Sequence, residues 1–439
     1  MSEAPFTFYR ETNLKEVELN GRKVEIPKEW EVVKVDNIIT EAKPGFASGK
    51  RDENGIIQLR MNNITTDGRV VLDQYLKVPI PKNKNINDYL LKPGDVLFNN
   101  TNSVDLLGKS AVFRGECEFC TYSNHITRLR VKEGVTIPEW LVYNFIRLWQ
   151  MQYFKQIAIR HVGQAGIRKT DLLNIKLPLP PLEEQKKIAE VLRTIDEAIQ
   201  AVDESIAKME RLKRETMERL LTRGINHTRF KTVELNGRKV EIPEEWEVVE
   251  LGEIGKLQYG YTASAMEEDT GVKFLRITDI AESGRILWER VPYCEISPED
   301  YKKYKLQRGD IVFARIGATA GKAGFVDKDV DGVFASYLIR LRITRDTADP
   351  LFVFYFTQSP LYWDTALRIR DAQLKKGINS TMLSGIQIPL PPLPEQKQIA
   401  EILRTIDEAI EAKRAKREKL ERMKKAVMEK LLTGEIRVR

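Results

Sequence analysis

The sequence predicts an α+β protein: two mixed α/β domains held at opposite ends of a long antiparallel two-helix coiled coil, a pseudo-two-fold tandem repeat. Three observations predict it. First, the chain repeats itself. Residues 17–33, VELNGRKVEIPKEWEVV, match residues 233–249, VELNGRKVEIPEEWEVV, at 16 of 17 positions, and residues 177–201 match 388–412 at 20 of 25. Second, stretches 182–222 and 395–433 contain no Gly or Pro, and each follows a Pro-Pro pair (Pro180-Pro181, Pro391-Pro392), as a helix start allows. Third, short apolar runs punctuated by Gly, Asn and Pro fill the space between these blocks, which is the pattern of strands.

In chain order, segment 1–33 leads in and is expected to pack near the end of the second long helix. Residues 34–180 form the first mixed domain, with strand-like runs VVKV, IIQLRM, DVLFNN, SAVF and HITRLRV and a helical stretch at 138–158. Residues 181–222 are the first long helix. Its apolar positions Ile188, Leu192, Ile195, Ile199, Val202 and Ile206 alternate steps of four and three, a heptad seam. A linker and the restart of the repeat occupy 223–249. The second mixed domain, 250–391, carries runs VVEL, VKFLRIT, DIVFAR and YLIRLRIT and a helical stretch at 350–363. Residues 392–439 hold the second long helix, whose seam reads Ile399, Leu403, Ile406, Ile410, then Lys413 and Arg417, then Leu420.

Roughly 40 residues at ~1.5 Å each make a rod of ~60 Å. The second mixed domain, roughly 40 Å across, joins the end of one helix to the start of the next. That span closes easily only if the helices run antiparallel. The repeat blocks are nearly identical while the domains between them diverge, which suggests one frame carrying two recognition surfaces with different targets.

Composition narrows function. The 439 residues carry 71 Lys and Arg against 64 Asp and Glu, a net charge of +7, and mean hydropathy is −0.38. No run approaches the ~18–20 apolar residues of a membrane span, and the first twenty residues lack the apolar core of a signal peptide, so a cytoplasmic protein is expected. Three cysteines exclude a disulfide-built scaffold, and three histidines leave little for histidine catalysis. Residues 34–180 hold 21 Lys and Arg against 14 Asp and Glu, whereas 250–391 hold 19 of each. The basic excess permits a nucleic-acid partner.

Two motifs are decoys. Gly108-Lys109-Ser110 ends like a phosphate-binding loop, but Ser103 stands where the first glycine is needed and a strand follows instead of a helix. The matching Gly321-Lys322-Ala323 lacks the hydroxyl. Both read as turns between strands, with a lysine free to meet a phosphate. Cys117-x-x-Cys120 is one pair, where a structural zinc site needs four ligands, and the second domain has no cysteine there. No metal site is expected, no dinucleotide fingerprint follows a strand, and no Ser/His/Asp constellation stands out. A non-catalytic protein is expected.

The chain resembles the specificity (S) subunit of type I restriction–modification enzymes. The resemblance rests on EIPKEWEVV and EIPEEWEVV opening the repeats and on GDVLF and GDIVFARIGATAGKAG at mid-domain. It rests also on GIRKTDLLNIKLPLPPLEEQKKIAEVLRTID and GINSTMLSGIQIPLPPLPEQKQIAEILRTID, and it covers essentially the whole chain. The first domain departs at 99–110, where NNTNSVDLLGKS replaces the glycine-rich loop. The resemblance implies two target recognition domains, each reading one half of a bipartite, asymmetric site in double-stranded DNA, and helices that set the gap between halves. It implies methyltransferase (M) and restriction (R) subunits as partners. S-adenosylmethionine, ATP and Mg would belong to those partners, leaving this chain without a cofactor.

Base edges are read by Arg, Lys, Asn and Gln, while phosphate contacts fix register. The candidate DNA-binding residues are Arg60, Asn62, Asn63, Asn102, Lys109, Arg128, Arg168 and Lys169 in the first domain. In the second they are Tyr259, Tyr261, Arg276, Thr278, Arg315, Thr319, Lys322, Lys375 and Lys376. The competing reading is a coiled-coil interaction scaffold with only non-specific DNA affinity.

Overall fold

The computed structural model describes residues 6–372 and 377–438. The chain forms two compact units: one runs through Val202 and resumes at Lys416, and the other runs from Asp203 to Ala415. Each unit holds one mixed domain and a part of both long helices.

Unit one is built on a four-stranded antiparallel sheet in the order Ser110–Val112, Val96–Asn99, Ile126–Val131, Ile39–Pro44. Side chains alternate between the two faces of the sheet, and both faces are covered, so the strand Val96–Asn99 is buried throughout. Val96 and Phe98 enter a cluster with Trp140, Phe145 and the long-helix residues Ile188, Leu192, Met428 and Leu431. Leu97 points to the other face, into Leu59, Ile64, Phe113 and Tyr122. Ile56–Leu59 pairs in parallel with Cys120–Tyr122 and antiparallel with Leu76–Val78. Cys120, the first residue of that parallel partner, closes a disulfide with Cys117.

Unit two repeats the plan, with strands Gly255–Tyr259, Leu338–Ile343, Ile311–Ala314 and Ala323–Phe325 in sheet order. Ile311 and Phe313 pack with Phe352, Phe356, Ile399 and Leu403, and Val312 and Ala314 pack with Leu275 and Trp288.

Every strand-like run named from the sequence overlaps a strand, with its ends shortened or shifted. The helical stretches are broken where one element was expected. The first spans Pro138–Gln150 and stops at Gln152, whose φ of 59° ends the helix before a short turn at Tyr153–Gln156. The second ends at Thr357, and a new helix, Pro360–Asp371, starts under a Ser359 cap. The near-identical repeat openings are hairpins, Leu14–Leu19 with Arg22–Pro27 and Phe230–Leu235 with Arg238–Pro243. Asn20-Gly21 and Asn236-Gly237 form their turns, all four at positive φ, the Asn-Gly signature of a type I′ turn. Each Asn side chain also binds both backbone groups of one residue, Asn20 those of Lys176 and Asn236 those of Gln387.

The long helices span Leu182–Arg223 and Leu393–Thr433 and pack antiparallel as a coiled coil. Within unit one, Asp196 meets Lys424 and Glu184 meets Arg437, so the partner advances as the first helix recedes. Within unit two, Glu210 meets Arg414 and Lys213 meets Asp407 in the same sense. Seam residues Ile188, Leu192, Ile199, Val202, Ile399, Leu403 and Ile410 are buried, and Ile195, Ile206, Ile406 and Leu420 are half-buried. Lys413 and Arg417 are also half-buried, and Arg417 pairs with Glu421 on its own helix at 3.0 Å. Gly224 and Gly434, both at positive φ, follow the helix ends. Phe8–Arg10 pairs antiparallel with Ile436–Val438.

The same three-residue clamp fastens helix to domain in both units. In unit one the Tyr143 hydroxyl donates to Asp196 at 2.9 Å, and Lys424 approaches that carboxylate to 2.5 Å while standing 5.7 Å from the Tyr143 ring. In unit two Tyr355 donates to Asp407 at 3.1 Å, with Lys213 at 2.6 Å from it and 5.7 Å from the ring. Gln185 and Gln396 form a second pair of anchors. Each side-chain amide caps its own helix entry and a loop of its domain.

Candidate nucleic-acid interface

In unit two, two of the candidates meet where sheet strands end. One strand ends at Tyr259, and the Ile311–Ala314 strand, on the other side of Leu338–Ile343, delivers Arg315. The Arg315 guanidinium sits 4.9 Å from the centre of the Tyr259 ring. Tyr259 accepts hydrogen bonds from the Ser380 hydroxyl at 3.1 Å and the Ser380 N–H at 3.0 Å. Those donors, with the Arg315 charge adding to them, lower the phenol below its ordinary value. Beyond Arg315 the glycine-rich loop carries exposed Ile316, Gly317 and Ala318 and half-exposed Thr319, and Arg370 donates to the Ala318 carbonyl at 3.2 Å. A cation, an aromatic face and an exposed loop thus lie together, which suits contact with phosphates and bases.

The other unit-two candidates scatter. Thr278 is exposed beside Arg276, whose guanidinium forks onto Asp279 at 2.9 and 3.1 Å. Tyr261 is half-buried against Tyr304, Phe274 and Val333. Lys375 and Lys376 lie outside the described residues.

In unit one Asn62 is exposed on the 3-10 turn Met61–Asn63, and half-buried Arg60 donates to the Ser48 carbonyl at 3.1 Å. Asn63 is buried. It accepts the Arg60 N–H and donates to the Val71 and Gln74 carbonyls, so it shapes the turn. Arg168 and Lys169 are exposed at the start of helix Lys169–Leu173, and Arg168 pairs with Asp171 at 2.8 Å. Asn102 is 7% exposed, and its side chain accepts the Ser103 N–H.

Three charged candidates face inward. The expectation of free lysines after the Gly-Lys turns is corrected by the packing around them. Lys109 puts its ammonium on the carbonyls of Met61 and Ile64 at 3.0 and 2.5 Å, and burial lowers its pKa. Lys322 meets the Ile280 carbonyl at 2.8 Å and Glu282 at 2.9 Å. Gly108 explains the inward turn: its φ is +84°, and a Cβ there would stand 2.3 Å from the Phe154 ring. Arg128 is 1% exposed and holds Glu41 together with the carbonyls of Leu90 and Asp88. Its repeat counterpart Arg340 is likewise buried, over the Phe334 ring. These residues hold the sheet together.

Sequence reasoning does not find Ser380, because its role depends on the contact with Tyr259, 121 residues away. Among the described residues no group of three His, Cys, Asp or Glu gathers as a metal site. No helix among them is long and apolar enough to cross a membrane.

Two domains of one plan, each carrying its own exposed loops on a repeated helical frame, define a tandem-repeat recognition protein. Residues 27–211 and 243–422 each match the type I restriction modification DNA specificity domain, and the chain belongs to that family. It is 34% identical over 446 residues to a putative type I restriction enzyme MjaX specificity subunit of Methanocaldococcus jannaschii, covering 98% of both chains. It is 26% identical over 415 residues to the EcoKI specificity subunit of Escherichia coli, covering 87% of this chain and 82% of that one. The crystal structure of the type I restriction–modification S subunit from M. genitalium shares the fold, with a TM-score of 0.55 at 14% identity over 92% of this chain and 96% of that one.

Proposed function

We propose that the chain is the sequence-specific DNA-binding specificity subunit of a cytoplasmic type I restriction–modification complex. Each target recognition domain reads one half of a bipartite, asymmetric duplex site, and the long helices set the gap. The subunit directs methyltransferase and restriction subunits and performs no chemistry itself. S-adenosylmethionine, ATP and Mg are handled by those partners. The observation that carries this is the duplicated specificity domain, whose frame repeats nearly residue for residue while its exposed loops differ. The proposed contacts are Arg60, Asn62, Arg168 and Lys169 in unit one and Tyr259, Thr278, Arg315 and Thr319 in unit two. The buried Asn63, Asn102, Lys109, Arg128 and Lys322 are given structural roles.

The test exchanges residues 34–176 for the same domain of another specificity subunit and sequences the methylome of cells expressing the chimera with its methyltransferase. One half of the methylated motif should change. A change in both halves, or methylation without a bipartite motif, refutes the reading.

A further inference from the structure

Unit one carries a projecting element with no equivalent among the described residues of unit two. Strands Ile159–His161 and Gln164–Gly166 form an antiparallel ribbon, with Arg160 opposite Ala165 and His161 opposite Gln164. Val162 and Gly163 make its two-residue turn, with Gly163 at φ +82° and no heavy atom within 4 Å of where its Cβ would be. The ribbon is tied down at its base, where Ala165 and Gly166 pair with Asn102 and Thr101. Those two residues lie in the stretch 99–110, where the two repeats part company. Both units share the anchor that follows, Ile167 N–H to the Asn100 carbonyl at 2.9 Å and Ile378 N–H to the Arg315 carbonyl at 2.8 Å. The described residues before the second anchor are helical through Asp371 instead.

The surface of this ribbon is unusual. Val162 is 107% exposed, more than any other large apolar residue described, and Ile159 at the base of the same ribbon is 37% exposed. Folding gains nothing from an apolar side chain left wholly in water. Arg160 and Gln164 are exposed, and Arg168 and Lys169 follow at the ribbon's base. The third strand, Thr101–Asn102, reaches only to Ala165, so the turn end of the ribbon is two-stranded; with strands ~4.8 Å apart that end fits a major groove ~12 Å wide. There an apolar tip meets thymine methyl groups, and glutamine pairs with the adenine edge.

Resting on the function proposed above, we infer that the ribbon 159–166 enters the major groove of the half-site read by unit one, that Val162 and Gln164 determine its sequence, and that Arg160 holds a flanking phosphate.

The experiment uses the full chain assembled with its methyltransferase subunit, with methylome sequencing and duplex-binding titrations in salt. Val162→Ser and Gln164→Ala should each relax one or two positions in a single half-site, lowering discrimination there by roughly 5- to 150-fold. The other half-site should be unchanged. Arg160→Ala should weaken binding equally across sequences and reduce the salt slope by about one. These residues are exposed, so thermal unfolding of the variants should match the parent. An unchanged motif in both substituted complexes overturns the ribbon proposal and leaves the proposed function standing. So does uniform loss without relaxation, or relaxation in both halves. A parent complex that methylates without any bipartite motif overturns both.

Discussion

Replacing Lys424 by methionine tests the clamp that fastens the first domain to the helical frame. The side chain keeps its length and most of its apolar stem, so the perturbation removes a charge more than it removes packing. Lys424 is 9% exposed at its side chain and Asp196 is 25% exposed. Burial raises the Asp196 pKa, and the ammonium at 2.5 Å and the Tyr143 hydroxyl at 2.9 Å oppose that rise. Removing one partner of a fully buried pair costs ~3–5 kcal/mol. Here the carboxylate keeps the Tyr143 bond and some water, so about 2 kcal/mol is expected. For a unit of this size that lowers the unfolding midpoint by roughly 4–8 °C. Asp196→Leu with Lys424→Met removes both charges and should lie within about 1 kcal/mol of the parent, giving a clear coupling in a double-mutant cycle. The pH dependence has a definite sign. An acid whose folded pKa stands above its unfolded value binds more protons when folded, so its ionisation penalty is full above the folded pKa and vanishes below ~3.9. The single variant should therefore recover toward the parent as pH falls from 7 to 4. Thermal unfolding at both pH values is the assay. Equal losses at pH 4 and pH 7, or a double variant as unstable as the single one, would show that packing rather than charge holds the clamp. Lys213→Met is the matched control in unit two.

Four further outcomes are expected. Arg128→Ala should cost several kcal/mol in unfolding, because Glu41 and two carbonyls lose a buried donor. Lys169→Ala should leave stability within ~0.5 kcal/mol while weakening DNA binding and reducing its salt slope by about one, measured by titration. Adding a heptad to each long helix lengthens it by ~10 Å, so the spacer in the methylated motif should grow by about three base pairs with both half-sites kept. Lys413→Leu with Arg417→Ile should fold with stability within about 1 kcal/mol of the parent or above it, since long stems already half-buried carry little net ionic stabilisation at the surface.

The repeat was legible in the sequence from the near-identity of its two copies, and the strands and the two long helices because each is written in local pattern. Heptad steps from Ile188 to Ile206 and the short apolar run Val96, Leu97, Phe98 between turn residues need no knowledge of distant residues. The type I′ turns at Asn20-Gly21 and Asn236-Gly237 are equally local, being set by the Asn-Gly pair itself. Tertiary structure decided which polar residues face water. Lys109 and Arg128 look like phosphate and base contacts in sequence, yet carbonyls and carboxylates up to 87 residues away hold them inside. Asp196 and Lys424 look like solvated helix charges until the antiparallel pairing sets one against the other beneath Tyr143. The ribbon at 159–166 shows no alternation, and its base is fixed by pairing with Thr101 and Asn102, so only the folded chain reveals it. Backbone periodicity is set by neighbours along the chain. Burial and hydrogen-bond partnership depend on which distant segments meet.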